Sequence, residues 1–233
     1  LFKGEAISFW FHNIAIFFFF LPYLTLKQDG VIEIVIKKSQ FICNIKRTET
    51  EEEARAFIDE IKTKHRKATH NCFAYTLGLN DEIQRESDNG EPSGTAGVPM
   101  LDVLKKNQVH NVCAVVTRYF GGIKLGTGGL IRAYGGAVAQ ALKELGIVKR
   151  VVQTELSLKV SYPLLGKLQN YLESQPVFTL ATNYTEEVEV VIAVDMDLAD
   201  ELMTKITDLL NGRVTITVGE NRYHEIDFDP HQA

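Results

Sequence analysis

Between Thr117 and Tyr134 the chain runs Thr-Arg-Tyr-Phe-Gly-Gly-Ile-Lys-Leu-Gly-Thr-Gly-Gly-Leu-Ile-Arg-Ala-Tyr, and no other stretch limits the possible folds so sharply. Upstream, Asn111–Thr117 has the apolar, β-branched composition of a buried strand. Downstream, Leu130, Ala133, Tyr134, Ala137, Val138, Ala141, Leu142 and Leu145 recur at helical spacing, and Gly146 is placed to end that helix. Between them lie Gly121, Gly122, Gly126, Gly128 and Gly129. Such a segment lets successive amides point one way at the positive end of a helix, which is the physics of an anion cradle. Arg118, Lys124 and Arg132 add full charges. Tyr119 and Phe120 stand either to stack on bases or to pack beneath the loop. Neither common nucleotide fingerprint fits: Thr127 stands where a Walker A lysine is required, and Ile131 where the last glycine of G-x-G-x-x-G belongs. The competing reading is structural, with the glycines allowing close helix–sheet packing and the bases forming a solvated rim.

A second irregular segment, Ser87-Asp-Asn-Gly-Glu-Pro-Ser-Gly-Thr-Ala-Gly97, carries Gly90, Gly94 and Gly97 around Pro92. Its amides must face water, a ligand or nearby side chains. Asp88, Glu91, Ser93 and Thr95 supply carboxylates and hydroxyls, either for a ligand or simply to satisfy the turn. A functional reading of the chain requires both segments to meet in one pocket with outward-pointing N–H groups and cationic walls.

Charge sorts the chain into two parts. Residues 1–150 hold 20 Lys and Arg against 16 Asp and Glu, whereas residues 151–233 hold 5 against 14. An anionic ligand therefore belongs with the first part. The three widely spaced cysteines, Cys43, Cys72 and Cys113, make no disulfide framework and no C-x-x-C metal knuckle, and point to a reducing, cytoplasmic setting. His70 and Cys72 share a strand face without a further ligand pair, so no metal or other cofactor is expected. Cys72 and Cys113 lack a clear His/Asp partner for nucleophilic work. Lys62, Lys64, His65, Arg66, Lys67 and His70 form a second basic patch, either a solvated helix end or part of an RNA surface.

Patterning places strands at Val31–Ile36, Ser39–Ile45 and Asn71–Leu79, and a capped helix from Thr50. It makes 80–97 a long polar loop and allows a short helix over Val98–Leu104. After residue 150 the order is strand Glu155–Val160, a helix around Leu164–Leu172, strands Thr179–Tyr184 and Val188–Val194, a helix capped by Asp197, and strand Val214–Val218. That βαββαβ order is the ferredoxin-like arrangement. Residues 221–233 are expected to be a polar tail. Residues 1–22, rich in Phe and without an initiator Met, are expected to be an atypical extension foreign to the fold, with a membrane or signal segment, or a structural element of the protein, as the alternatives. The expected division is 1–22, 23–150 and 151–233.

Ser87–Gly97 taken together with Val115–Tyr134 resembles the IMPACT family in its bacterial form, over about Tyr23 to Tyr223. The resemblance implies an α+β protein: an N-terminal βαβ domain like the second domain of ribosomal protein S5, then a ferredoxin-like domain similar to one in translation elongation factor G. Eukaryotic relatives regulate translation initiation by competing for an activator of a stress kinase. For bacterial members the resemblance suggests binding of RNA, or of a ribosomal or translation component, with no established reaction. One departure stands out: Asn89 replaces the second Asp of the usual Asp-Asp-Gly-Glu-Pro. That loss counts if the carboxylate held a metal or acted as a base, and is harmless if it only shaped a turn. Three functions follow: a translation regulator binding nucleic acid through Arg118, Lys124 and Arg132; an enzyme on a small phosphorylated substrate, with Asp88 or Glu91 as acid or base; and an adaptor whose acidic C-terminal half docks a protein partner. No membrane is expected to be a partner.

Overall fold

The structure is a computed structural model and describes residues 21–228. The expectation for residues 1–22 thus lies outside the described residues, save for Leu21 and Pro22. The chain forms two compact units, with Tyr23–Lys149 the body of one and Arg150–Glu225 the body of the other. The class is mixed α and β, with ten strands and five helices among the described residues.

In the first unit, β2 (Gly30–Ile36), β3 (Ser39–Arg47), β4 (His70–Leu77), β5 (Ile83–Ser87) and β6 (Val112–Tyr119) form an antiparallel sheet in the order β2-β3-β6-β4-β5. Alternation along β6 explains its central place. Val112, Ala114 and Val116 join the core under helices α2 (Gly97–Lys106) and α3 (Thr127–Leu145). Cys113 and Val115 join the opposite core, under α1 (Glu51–Lys64). A strand apolar on both faces fits a sheet covered on both sides. Phe41, Cys43 and Ile45 face the α2/α3 side, as their period-two spacing predicts. Thr50 caps α1 by accepting from the Glu53 amide, while the Glu53 carboxylate accepts from the Glu49 amide at 2.7 Å.

Two short strands escape the sequence pattern. Tyr23–Leu26 (β1) makes a parallel bridge from Leu24 to Val109. Residues 83–87, expected inside a long loop, form edge strand β5, with Phe73 opposite Ser87 and Leu77 opposite Ile83. The sequence Ile-Gln-Arg-Glu-Ser lacks apolar alternation because an edge strand is held by its ladder bonds and faces water.

In the second unit, β7 (Ile147–Val160), β8 (Val177–Tyr184), β9 (Val188–Asp195) and β10 (Thr215–Asp227) take the order β10-β7-β9-β8, with β7–β9 and β9–β8 antiparallel. Helices α4 (Tyr162–Leu172) and α5 (Ala199–Leu209) share one core with the inward residues of these strands, among them Leu156, Leu158, Val190, Ile192, Leu168 and Ile206. Residues 221–227, expected in a tail, continue β10; Arg150 lies over the Tyr223 ring at 4.9 Å and the Thr154 hydroxyl donates to Asn221. Polar side chains disguise the strand because partners fixed elsewhere in the chain engage them. The cap of α5 is Leu198 rather than Asp197.

Candidate functional site

β4 and β6 run antiparallel with His70 opposite Arg118, so the start of one strand meets the end of the other. The Thr69 amide donates to the Arg118 carbonyl at 3.0 Å and closes this corner. From it the chain leaves β6 through Phe120 and the glycine segment into α3. A pocket of about 410 Å³ opens there, lined by residues of three segments: Thr69 and His70; Glu91 and Pro92; and Arg118, Phe120, Lys124, Leu125, Gly126, Thr127 and Leu130.

Both glycine-bearing segments thus reach one pocket, but they arrive with opposite backbone chemistry. In the first, the Asp88 carboxylate accepts from the amides of Gly94 at 2.7 Å, Ala96 at 2.8 Å and Gly97 at 2.9 Å. The Glu91 amide donates to the Asp88 carbonyl and the Thr95 amide to the Pro92 carbonyl. The Thr95 hydroxyl also donates to Pro92. Burial opposes ionisation of Asp88, but the amide hydrogen bonds outweigh it and hold the carboxyl below its ordinary range. Asp88 and Thr95 are therefore turned inward and their loop offers its amides to itself, as does the start of α2, whose cap residue Ala96 has no side-chain acceptor of its own. Ser93 is exposed and does not line the pocket; Gly90 and Gly94 sit at the turns of this inward loop.

Asn89 has φ of 42°, in the left-handed region that Asn and Asp tolerate. Its side-chain oxygen accepts from the Asn71 amide and its carbonyl contacts His70 Nδ1 at 2.9 Å. Asn does here what a turn-shaping residue must do.

The second segment stays open. The α3 cap is Gly126, at φ of 70°, which has no side chain to accept from the first-turn amides, and no acidic residue lies in that turn. Lys124 and Arg132 are exposed, and no ion pair among the described residues engages either. Lys124 lines the pocket, whereas Arg132 stands one turn further along α3, near Gly128. Gly121 has a packing duty instead: a Cβ there would fall 2.0 Å from the Lys38 backbone. Gly122 and Gly129 lie between these points and do not line the pocket.

Arg118 does not serve as a free cation. Its side chain is only 7% exposed; Nη1 donates to Glu91 Oε1 at 2.6 Å, and the guanidinium lies 5.5 Å from the ring centres of both Phe41 and Phe120. The Tyr134 hydroxyl donates to the same Glu91 oxygen at 2.8 Å. Burial, then the neighbouring Cys72 and Glu91, push the Tyr134 hydroxyl well above its ordinary range, so it stays a donor. Cys72 donates to the Asp88 carbonyl, and burial raises its thiol to about 12, which removes it as a nucleophile at neutral pH.

Tyr119 points to the other face of the sheet, where its hydroxyl meets His65 Nδ1 at 3.0 Å. Phe120, by contrast, is 48% exposed at the pocket mouth. Of the second basic patch, only His70 lines the pocket; Lys64, Arg66 and Lys67 are exposed between the end of α1 and Thr69. Sequence reasoning missed Thr69, Pro92, Leu125 and Leu130 as lining residues. Only the register of His70 against Arg118 brings Thr69 here, and that pairing leaves no local signal.

The motif pair has counterparts. Residues 37–142 match the Impact N-terminal domain, and residues 158–213 match a domain of unknown function, DUF1949. The IMPACT family member YvyE of Bacillus subtilis is 49% identical over 203 residues, covering 87% of this chain and 94% of its own. The chain belongs to the IMPACT family. YigZ of Escherichia coli, another IMPACT family member, is 38% identical over 183 residues, covering 78% of this chain and 90% of its own. A crystal structure described as that of a hypothetical protein shares the fold with a TM-score of 0.55 at 34% identity, over 85% of this chain and 98% of that one. The matched Impact domain contains the whole pocket. Among the described residues no helix is long and apolar enough to cross a membrane.

Proposed function

We propose that this IMPACT family protein binds nucleic acid as part of translation, in the cytoplasm, through the pocket at the start of α3. The uncapped α3 amides beside the unengaged Lys124 carry this reading. They supply partial and full positive charge at one point, and a phosphate matches both. Pro92, Leu125, Leu130 and Phe120 give the same pocket an apolar wall for a base. Lys64, Arg66 and Lys67 are exposed between the end of α1 and Thr69 and are available for further phosphate contacts. Catalysis on a small phosphorylated substrate is less well supported, because Asp88 is occupied by three amides and Glu91 by Arg118 and Tyr134.

The architecture we assign is an S5 domain 2-like unit over 23–150 and a ferredoxin-like unit over 151–233. The β10-β7-β9-β8 order with two helices sharing the core of one sheet supports the second assignment. An adaptor role for that unit has one observation in its favour: residues 150–225 hold 12 Asp and Glu against 6 Lys and Arg.

The test is titration of the full chain with a labelled single-stranded RNA across a salt series. Affinity falls steeply with salt, and the double variant Lys124→Ala, Arg132→Ala lowers the log–log slope by about 1.4, at roughly 0.7 for each lost phosphate contact on a single strand. Affinity indifferent to salt, or a slope unmoved by the double variant, overturns the reading.

A further inference from the structure

Two acceptor atoms on the pocket wall take no hydrogen bond from the described residues, whereas the Arg118 Nε donor, which also lacks a partner, is sealed within the wall and out of a ligand's reach. The Glu91 side chain is 4% exposed. Its Oε1 is crowded by Arg118 Nη1, the Tyr134 hydroxyl and, at 3.8 Å, His70 Nε2. Its Oε2 takes no hydrogen bond from any described residue, yet it is not sealed from solvent, so a donor entering the pocket can reach it. His70 supplies the second acceptor by tautomer logic. Nδ1 lies 2.9 Å from the Asn89 carbonyl oxygen, which can only accept, so Nδ1 carries the proton. In the neutral ring Nε2 is then a bare lone pair, and no hydrogen bond among the described residues engages it. His70 and Glu91 line one pocket with the apolar Pro92, Leu125 and Leu130, the exposed ring of Phe120, and the amides and ammonium of the phosphate corner.

A ligand that satisfies this wall needs a flat apolar body, two adjacent donors on one edge, and an anion attached elsewhere. Among the four RNA bases only guanine meets the second condition. Its Watson–Crick edge presents N1–H beside the N2 amino group, whereas adenine and cytosine set an amino group next to an acceptor, and uracil flanks its imino group with carbonyls. That edge is free only in an unpaired base.

Building on the phosphate-binding reading above, we infer that the pocket takes an unstacked guanine of single-stranded RNA, read by Glu91 Oε2 and His70 Nε2, with Phe120 against its face. Glu91 and His70 are then specificity residues, while Lys124 and the α3 amides supply affinity without sequence preference.

The experiment measures fluorescence anisotropy of the full chain with labelled octauridylates carrying one central guanosine, adenosine, cytidine, inosine or uridine. The guanosine octamer binds about tenfold or more tighter than the others, the scale of one well-made bidentate base contact. Inosine, which lacks only the 2-amino group, forfeits most of that gain, while 7-deazaguanosine, whose Watson–Crick edge is intact, keeps it. His70→Ala collapses the guanosine-to-adenosine ratio to below about threefold, as the loss of one of two reading acceptors requires. Glu91→Gln, which puts a donor on the wall, does the same if it folds; the inosine comparison needs no variant at all. Salt-dependent binding that is equal for all five octamers overturns the guanine reading and leaves phosphate binding standing. Binding to none of them overturns both. Free guanosine monophosphate that displaces the octamer at equal concentration overturns RNA as the source and assigns the pocket to a small nucleotide.

Discussion

Residues 88–97 and 121–129 look alike on paper: each is short, irregular and rich in glycine, and each leads into a helix. Their fates differ because of one carboxylate. Asp88 stands at the head of its segment and gathers the amides of Gly94, Ala96 and Gly97. The later segment has no acid; its cap is Gly126, and its one charged residue is Lys124, with Arg132 following in α3. A glycine-rich loop becomes an anion site only when the chain withholds its own anion. The first loop is therefore a brace that holds Glu91 and Asn89 in position, and the second is the open face.

The largest effect that would break this comparison is loss of the brace. Asp88→Ala leaves three partly buried amides without their acceptor. At about 1.5 kcal/mol or more for a hydrogen bond to a charged group, discounted because water replaces part of each, the loss is about 3 kcal/mol. Chemical denaturation followed through the first unit measures it. A loss below ~1 kcal/mol means that the amides find other partners, and the brace is not what separates the two loops.

Next comes Gly121→Ala, which tests whether every glycine in the open segment belongs to the ligand. The added Cβ would meet the Lys38 backbone at 2.0 Å, so strand β3 or the loop must move. We expect a destabilisation of about 2 kcal/mol, typical of forced backbone shifts, with RNA affinity falling only as far as the loop is displaced. A stable variant with wild-type affinity would remove the packing duty from this glycine.

The acid limb of the stability curve sharpens the comparison further. Asp88 has its carboxyl held below the ordinary range in the folded chain. Its contribution is present above the unfolded carboxyl pKa and is lost as pH falls through the lower folded value. Wild-type stability therefore declines below about pH 4, and Asp88→Ala shows a shallower decline there, read by denaturant midpoints at each pH. Parallel curves for the two proteins would show that Asp88 is not linked to folding.

These contrasts also mark how far the sequence alone reached. The strand–glycine–helix unit was legible because Val112–Val116 is an unbroken apolar run and Leu130–Leu145 carries a helical period, and the core residues Phe41, Cys43 and Ile45 fell where alternation put them. The same two elements put the glycine segment at the start of α3, where Lys124 lines the pocket and the cap Gly126 has no side chain. Arg118 was not. A basic residue beside a glycine loop looks free until β6 and the loop at Glu91 are brought together, and their separation of 27 residues hides the pair. Tyr119 was placed with Phe120, yet strand alternation sends it to His65 on the far side, a consequence of β6 extending to Tyr119 rather than ending at Thr117. Strand β5 and the end of β10 stayed hidden because edge and polar strands draw on ladder bonds and distant partners instead of an apolar face.

The smallest effect concerns Asn89, where the resemblance leads one to expect Asp. Asn89→Asp places a carboxylate at φ of 42°, where both types are tolerated, and an Asp oxygen can accept from the Asn71 amide as the Asn oxygen does now. The exchange adds a negative charge near Asp88 and Glu91, which opposes the gain from a stronger, charge-assisted acceptor. These nearly cancel, so stability should change by less than about 0.5 kcal/mol. RNA affinity should weaken slightly, by less than about twofold at 0.1 M salt, because the added charge lies on the closed loop rather than at the α3 amides. A larger loss of binding would mean that the two loops share one electrostatic field at the pocket. The division into a brace and an open face would then describe their hydrogen bonds but not their function.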